Sequence, residues 1–185
     1  MANEAGTVKS AQKMYESDHV KFLTVTALAV ALTYVFTRFV NIRLPFAPNG
    51  GLIHLGNVPL FIFAIIFGRK TGFIAGGVGM ALFDLTSGWT LWAPFTLVIV
   101  GVMGYVVGLI TERKKGYGWY VVAMLAALLI KIGGYYIAEG VIYGNWLTPV
   151  TSIPGNLIQV VSAMVIVLVV IVPLRAAANK VLFGE

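Results

Sequence analysis

Residues 93–138 decide the fold, and they read APFTLVIVGVMGYVVGLITERKKGYGWYVVAMLAALLIKIGGYYIA. Two long apolar runs, 93–111 and 119–138, flank a short basic linker. Each run is close to the ~20 residues that a helix needs to cross a bilayer. The stretch therefore predicts two transmembrane helices joined by a tight turn.

The rest of the chain has the same apolar character. Of its 185 residues, 59% are apolar and only 11% are charged, and the mean hydropathy is +0.90. A chain this short cannot bury so much apolar surface in water, because small domains keep a large surface relative to their volume. The composition excludes an ordinary soluble enzyme, a disordered tail and a fibrous repeat. It predicts an integral membrane protein whose excess apolar surface is covered by lipid.

Six apolar segments are predicted to be helices. They lie at 20–39, 57–68, 72–86, 93–111, 119–138 and 154–173. The second and third are short, and they form either two short spans or one re-entrant hairpin. Arg69 and Lys70 at their junction favour two spans, since two adjacent charges are costly at mid-bilayer. The predicted fold is an all-α bundle of six transmembrane helices in one membrane domain, with a polar segment at 1–19, the bundle at 20–173 and a tail at 174–185.

The basic residues are distributed unevenly between the two sides of this bundle. Six spans place both termini on one side, and that side carries ten of the thirteen basic residues: Lys9, Lys13, Lys21, Arg69, Lys70, Arg113, Lys114, Lys115, Arg175 and Lys180. The other side carries Arg38 and Arg43, and Lys131 lies within a span. Because cytoplasmic loops are enriched in Lys and Arg, both termini are predicted to be cytoplasmic.

Several classes of chemistry lack their usual residues. The chain has no cysteine, which excludes disulfides and thiolate metal sites. His54 has no second metal ligand at a suitable spacing, so no metal or cofactor is predicted. The sequence contains no phosphate-binding G-x-x-x-x-G-K-[ST] loop and no common hydrolase motif, so it is not predicted to be an enzyme or to use ATP itself.

Ionisable residues within apolar spans are rare and functional by default. At a rise of ~1.5 Å per residue, Asp84 and Lys131 both lie roughly 18 Å from the inner ends of their spans, and Gln159 lies at roughly 21 Å. Tyr34 reaches a similar height. These side chains define one polar layer in the outer half of the bilayer. The layer either pairs Asp84 with Lys131 to hold helices together or lines a pocket that opens outward.

Further polar side chains are predicted to line the same pocket. Lys131, Tyr135 and Glu139 are spaced i, i+4, i+8 on one helix face. Asn156 and Gln159 lie three residues apart and can donate and accept hydrogen bonds. His54 and Asn57 flank the outer entry to the second segment, and His54 is interpreted as a hydrogen-bonding group.

The outer loops and the small residues each allow two interpretations. Trp89, Trp92 and Trp146 suit either the membrane interface or a lid over the pocket. Small residues recur at helical spacing, where they permit close helix packing within the chain or against a partner. They are Ala27 and Ala31, then Gly68, Gly72 and Gly76, then Gly101, Gly104 and Gly108.

Together these features resemble the substrate-binding S components of energy-coupling factor (ECF) vitamin transporters. The resemblance covers almost the whole chain: its length, the six spans, the cytoplasmic termini and the long first outer loop. Two more specific features of the family are the Ala27-x-x-x-Ala31 motif and a central segment similar to GGLIHLGNVPLFIFAIIFGRKTGFIAGGVGMALFDLTSGWTLWAPFTLVIVGVMGYVVG.

The resemblance implies a mechanism and partners. An S component captures a vitamin from outside and docks on a coupling membrane subunit with two ATP-binding cassette ATPases, which supply the energy. It implies a bacterial cell membrane location and a docking contact through Ala27 and Ala31. Positions that match the family's binding regions by location are His54, Trp92, Lys131, Tyr135, Glu139, Asn156 and Gln159.

The sequence leaves two candidates for the substrate and two for the class of protein. Pyridoxine or hydroxymethylpyrimidine is the expected ligand, because a small flat ring suits aromatic stacking and hydrogen bonds from Asn, Gln and Asp. Pantothenate is the alternative, because Lys131 could pair with its carboxylate. If Asp84 neutralises Lys131, the neutral ring is favoured; if not, the anion is favoured. The competing class is a small membrane scaffold or carrier that is not coupled to ATPases.

Overall fold

The computed structural model describes residues 18–43 and 52–183. The predictions for residues 1–17, including Lys9 and Lys13, for most of the first outer loop and for the last two residues of the tail lie outside this part of the chain. The described part contains six α-helices: α1 His19–Phe39, α2 Asn57–Phe67, α3 Arg69–Thr86, α4 Ala93–Arg113, α5 Tyr117–Tyr143 and α6 Ile153–Ala178. Each coincides with a predicted apolar segment, so the predicted helical bundle is confirmed.

Local sequence explains where several helices begin and end. The Asp18 side chain accepts a hydrogen bond from the backbone N–H of Lys21 at 3.2 Å and so caps α1. A proline lies in the first turn of both α4 and α6, where its missing N–H costs nothing. Gly68 separates α2 from α3 at φ 89°, a conformation that favours glycine. A 3₁₀ turn, Thr148–Ser152, leads into α6.

Four helices are long and apolar enough to cross a membrane, judged by the described residues: α1, α4, α5 and the segment that contains α6. The helix α2 has eleven residues, so it is roughly 16 Å long and falls short of the ~30 Å hydrocarbon core. It packs among α1, α3, α4 and α6, and eight of its eleven residues are buried. Whether α2 and α3 each cross the membrane stays a prediction.

Glycines set the close contact between α3 and α4, which form the most extensive helix pair. A Cβ built on Gly72 would lie 2.5 Å from the carbonyl oxygen of Gly104, and one on Gly104 would collide with the carbonyl oxygen of Gly72. A Cβ on Gly76 would lie 2.8 Å from the carbonyl oxygen of Val100. The prediction that these glycine stripes serve packing within the chain is confirmed.

A short β-hairpin departs from the all-helical prediction. Strands β1, Asn41–Arg43, and β2, Leu52–His54, pair antiparallel with Ile42 opposite Ile53. This region was predicted only as a long outer loop, because three-residue strands are too short to show an alternating pattern. The hairpin brings His54 back to the same end of the bundle as the C-terminal end of α1.

Candidate ligand-binding site

A cavity of about 780 Å³ lies at the end of the bundle where α1, α3 and α5 end and α4 and α6 begin. Its volume is within the range of small-molecule sites, ~300–1,000 Å³. The structure brings eight of the nine predicted substrate-binding residues to its lining: His54, Asp84, Trp92, Lys131, Tyr135, Glu139, Asn156 and Gln159. These residues come from β2, from the three helices α3, α5 and α6 and from the residue that precedes α4.

Asp84 supplies one carboxyl group to the cavity from the last turns of α3. Its side chain is 8% exposed, and its Oδ2 atom has no hydrogen-bond partner within residues 18–43 and 52–183. The Thr96 side chain of α4 interacts with the same carboxyl group. A buried carboxylate oxygen without a donor is costly, so Asp84 is suited to accept a hydrogen bond from a ligand.

Lys131 is held by an amide and not by a carboxylate. Its Nζ atom donates a hydrogen bond to Gln159 Oε1 at 2.7 Å, and Gln159 Nε2 in turn donates to the backbone carbonyl of Leu52 at 2.6 Å. Within the described residues, no ion pair within 4.0 Å joins Lys131 to Asp84. The two side chains therefore form no direct ion pair there, and the amide of Gln159 takes the position of the partner; the role of these charges in ligand binding stays a prediction.

Aromatic rings form one wall of the cavity. The ring centroids of Trp92 and Tyr135 lie 6.3 Å apart at an interplanar angle of 42°, and the Lys131 ammonium lies 5.9 Å from the Tyr135 centroid. The Tyr135 hydroxyl is fixed by a hydrogen bond of 3.1 Å with the Thr96 hydroxyl. Rings held in this way offer a flat face for stacking against a planar ligand.

His54 lines the cavity from β2 as a neutral imidazole. Burial, and to a smaller extent the nearby Lys131 ammonium, hold the pKa of His54 well below its usual value. The backbone N–H of Gly56 donates to His54 Nδ1 at 3.2 Å, which leaves the proton on Nε2. His54 is therefore a hydrogen-bond donor at neutral pH, as its interpretation as a hydrogen-bonding group requires.

Two predicted positions do not contribute to the cavity. Tyr34 shares the height of the polar layer, but its hydroxyl bonds to Thr86 at 3.1 Å on another side of the bundle. Asn57 is fully buried at the start of α2, and neither its amide nitrogen nor its amide oxygen has a hydrogen-bond partner in the described part of the chain. Tyr34 was selected by its height along a helix and Asn57 by its place at the outer entry to the second segment, and neither criterion fixes the direction in which a side chain points.

Sequence reasoning missed Thr96, although a signal for it exists. Thr96 follows Trp92 by four residues, so the two share a face of α4. Among the loop tryptophans, Trp89 and Trp92 line the cavity as the lid interpretation requires. Trp146 instead packs against Gly140 and Tyr136, with its carbonyl oxygen accepting a 2.7 Å hydrogen bond from the Tyr136 hydroxyl.

A second, almost wholly apolar groove of about 610 Å³ runs between α1 and α3. Ala27 and Ala31 lie exposed on its α1 side, and Ile74 and Leu82 line its α3 side. Small exposed side chains leave room for another helix to approach closely.

The fold and the cavity define a class of protein: a multi-pass helical membrane protein with a cavity of small-molecule size near one end of its bundle. The sequence profile of the ECF-type riboflavin transporter S component family matches residues 17–176. The chain therefore belongs to this family of ECF transporter S components, and it is a transporter subunit for a vitamin or vitamin precursor.

The chain is also similar to individual proteins. The chain is 32% identical over 154 residues to the thiamine precursor transporter HmpT of Lactococcus lactis subsp. cremoris (strain MG1363), covering 83% of this chain and 87% of that protein. It is also 32% identical over 125 residues to an uncharacterized protein of Pyrococcus woesei, covering 68% and 83% of the two chains. A UPF0397 protein of Lactobacillus helveticus (strain DPC 4571) is 34% identical over 94 residues, about half of each chain.

Proposed function

We propose that this S component captures hydroxymethylpyrimidine, the aminopyrimidine precursor of thiamine, from the outer side of the cell membrane. The observation that carries the proposal is the unpartnered carboxylate oxygen of Asp84 beside the tilted Trp92–Tyr135 pair. An aminopyrimidine offers N–H donors for the carboxylate and a flat ring for the aromatic wall. The likeness to a thiamine precursor transporter supports the same ligand. Pyridoxine, a similar flat ring, lacks the amino group.

Pantothenate is the second candidate, and one observation favours it. Among the residues that the structure describes, no carboxylate lies within 4.0 Å of the Lys131 ammonium, so it is available to an anionic ligand. Two carboxyl groups, those of Asp84 and Glu139, line the same cavity and disfavour an anion. The balance of charge around the cavity therefore favours the neutral ring.

Lys131→Met separates the two ligands. If the ring is the substrate, the variant should bind hydroxymethylpyrimidine within about threefold of wild type, whereas a buried ion pair with pantothenate would lose roughly 10- to 150-fold. Isothermal titration of the purified protein with each ligand measures this difference. The exposed Lys21→Met is the matched control. If wild type binds pantothenate and Lys131→Met loses that binding, the proposal of a neutral ring as the substrate is wrong.

The function itself is tested by identifying the bound molecule. Mass spectrometry of the small molecules released from the denatured, freshly purified protein should detect hydroxymethylpyrimidine. Copurification should bring down a large membrane subunit and two ATPases, as expected for an S component. A protein that yields neither a vitamin nor these partners would be the uncoupled scaffold or carrier.

We propose that the coupling subunit docks in the groove between α1 and α3. The groove is apolar, and the exposed methyl groups of Ala27 and Ala31 allow a partner helix to approach. We also place both termini of the single membrane domain in the cytoplasm, on the distribution of basic residues. Because the chain lacks cysteine, labelling of single introduced cysteines with an impermeant maleimide tests this orientation.

Ala27→Trp or Ala31→Trp should block that docking by filling the groove. Overpacked contacts lose ~1–3 kcal/mol, so the copurifying ATPases should decrease by about tenfold or more. Leu28→Trp is the matched control, since Leu28 is 54% exposed on the same helix but does not line the groove. Equal loss of the ATPases in all three variants would contradict docking at this groove. Ligand binding should be unchanged, because the cavity is elsewhere.

A further inference from the structure

The aromatic wall of the cavity contains a second carboxyl group, that of Glu139. Tyr135, Glu139 and Tyr143 follow one another at intervals of four residues on α5, so they lie on one face of that helix. The Trp92 ring packs across this face, because its centroid lies 6.3 Å from that of Tyr135 and 6.1 Å from that of Tyr143. Glu139 is 4% exposed, and it lines the cavity together with Trp92 and Tyr135. The carboxyl group of Glu139 therefore lies among aromatic rings.

Glu139 and Trp92 lie about one helical turn further out than the Thr96–Tyr135 pair. Thr96 on α4 and Tyr135 on α5 are at one level, because a 3.1 Å hydrogen bond joins their hydroxyl groups. Trp92 precedes Thr96 by four residues, Glu139 follows Tyr135 by four, and the two helices run in opposite directions. Both side chains are therefore displaced towards the outer end by ~6 Å. The cavity has an inner part at Thr96 and an outer part at Glu139.

The charge and the size of the cavity both suit a cation in the outer part. Among the described lining residues, two carboxyl groups, those of Asp84 and Glu139, are present with one ammonium group, that of Lys131. The imidazole of His54 is neutral, so the ionised lining has an excess of negative charge. Aromatic faces attract organic cations, as in the cages that bind quaternary ammonium groups. A single pyrimidine ring also fills only part of about 780 Å³, a volume suited to a drug-sized ligand.

We infer that the outer part of the cavity binds a planar organic cation, with its positive charge beside the Glu139 carboxylate and its ring against Trp92. A ligand that fills both parts has an aminopyrimidine in the inner part and a cationic aromatic ring in the outer part. This inference extends the proposed function and rests on it for the pyrimidine end alone. Thiamine has the required chemistry, since a methylene group joins its aminopyrimidine to a thiazolium ring, and it is therefore the probe.

The positive charge and the flat ring distinguish this ligand from two others. A neutral compound with two rings would stack on Trp92 but would leave the excess negative charge of the lining in place. A metal ion would supply the charge but would not use the faces of the rings. The described residues also contain no group of three or more His, Cys, Asp or Glu side chains that could hold a metal ion. An organic cation uses both the carboxylate and the rings.

Titration calorimetry with thiamine and 3-deazathiamine tests the inference on the purified full chain. The two ligands have nearly the same shape, but the second has an uncharged thiophene ring. Wild type should bind thiamine roughly 10- to 30-fold more tightly than 3-deazathiamine. Glu139→Gln should reduce this preference to about threefold or less, because it keeps the shape of the side chain and removes its charge. The matched control is Asp18→Asn, which removes the same charge from an exposed position at the other end of the bundle and should keep the preference.

Thermal unfolding verifies that each variant is folded, and the preference of wild type needs no variant. A wild-type preference below about threefold would overturn the inference, as would an unchanged preference in Glu139→Gln. Titration with hydroxymethylpyrimidine separates the inference from the proposed function. Binding of hydroxymethylpyrimidine without thiamine would contradict the cation site alone. Binding of thiamine with the expected preference, but not of hydroxymethylpyrimidine, would contradict the proposed function alone. Binding of neither ligand would contradict both.

Discussion

Asp84→Asn is expected to weaken the binding of hydroxymethylpyrimidine by roughly 10- to 150-fold, the effect of removing a hydrogen bond to a charged group. The substitution keeps the shape of the side chain but replaces one acceptor oxygen with a donor. The amino group of the ligand would then face another N–H at the position of the unpartnered oxygen. Titration calorimetry or quenching of the tryptophans that line the cavity measures the change.

The matched control for this variant is Asp18→Asn. Asp18 caps α1 at the other end of the bundle, and asparagine is an equally good cap, so stability and binding should both stay near wild type. A second readout is the binding of pantothenate, which should not weaken in Asp84→Asn because a negative charge has been removed from the cavity. Wild-type affinity of Asp84→Asn for the pyrimidine would contradict recognition through this carboxyl group.

Gly104→Ala should destabilise the bundle by about 3 kcal/mol, or roughly 6–12 °C in Tm. Its new methyl group would collide with the carbonyl oxygen of Gly72 and lie 2.8 Å from Leu60 Cδ1. A backbone carbonyl cannot rotate away as a flexible side chain can, so α3 and α4 must separate. Thermal unfolding in detergent measures the loss.

Ligand binding should decrease in Gly104→Ala as well, because α3 carries Asp84 and α4 carries Thr96. The matched control is Gly133→Ala on α5, where an added Cβ meets nothing within 4 Å. Since alanine has the higher helix propensity, that variant should be as stable as wild type or slightly more stable. If Gly104→Ala unfolds at the wild-type temperature, that result would contradict the close packing of α3 on α4.

The helices could be predicted from sequence because lipid imposes a strong pattern. A run such as 119–138 has no alternative to a helix in a bilayer, where every backbone group must be bonded internally. The ends were less certain: α5 extends to Tyr143 because Gly144, in a left-handed conformation, is the first residue that stops it. The hairpin of β1 and β2 left no signal, since its strands have only three residues each.

Site residues could be predicted where an ionisable side chain lies in an apolar span. They could not be predicted where the direction of a side chain around its helix axis decides whether it reaches the cavity. Asp84 and Lys131 stand out because ionisable groups are rare in apolar spans, and both line the cavity. Tyr34 has the same height and points elsewhere, because the rise per residue fixes depth and leaves rotation about the helix axis open. The partnership of Lys131 with Gln159 depends on the packing of α5 against α6, which no local pattern contains.

The Gln159 amide joins two parts of the protein that have different tasks. Its oxygen accepts from Lys131 inside the cavity, and its nitrogen holds Leu52 in the hairpin that forms one wall. A ligand that moves past the hairpin must break the bond to Leu52 on entry and on exit alike, so this bond slows capture and release together. We therefore expect the rate of exchange to depend on Gln159 and the choice of ligand to depend on Asp84.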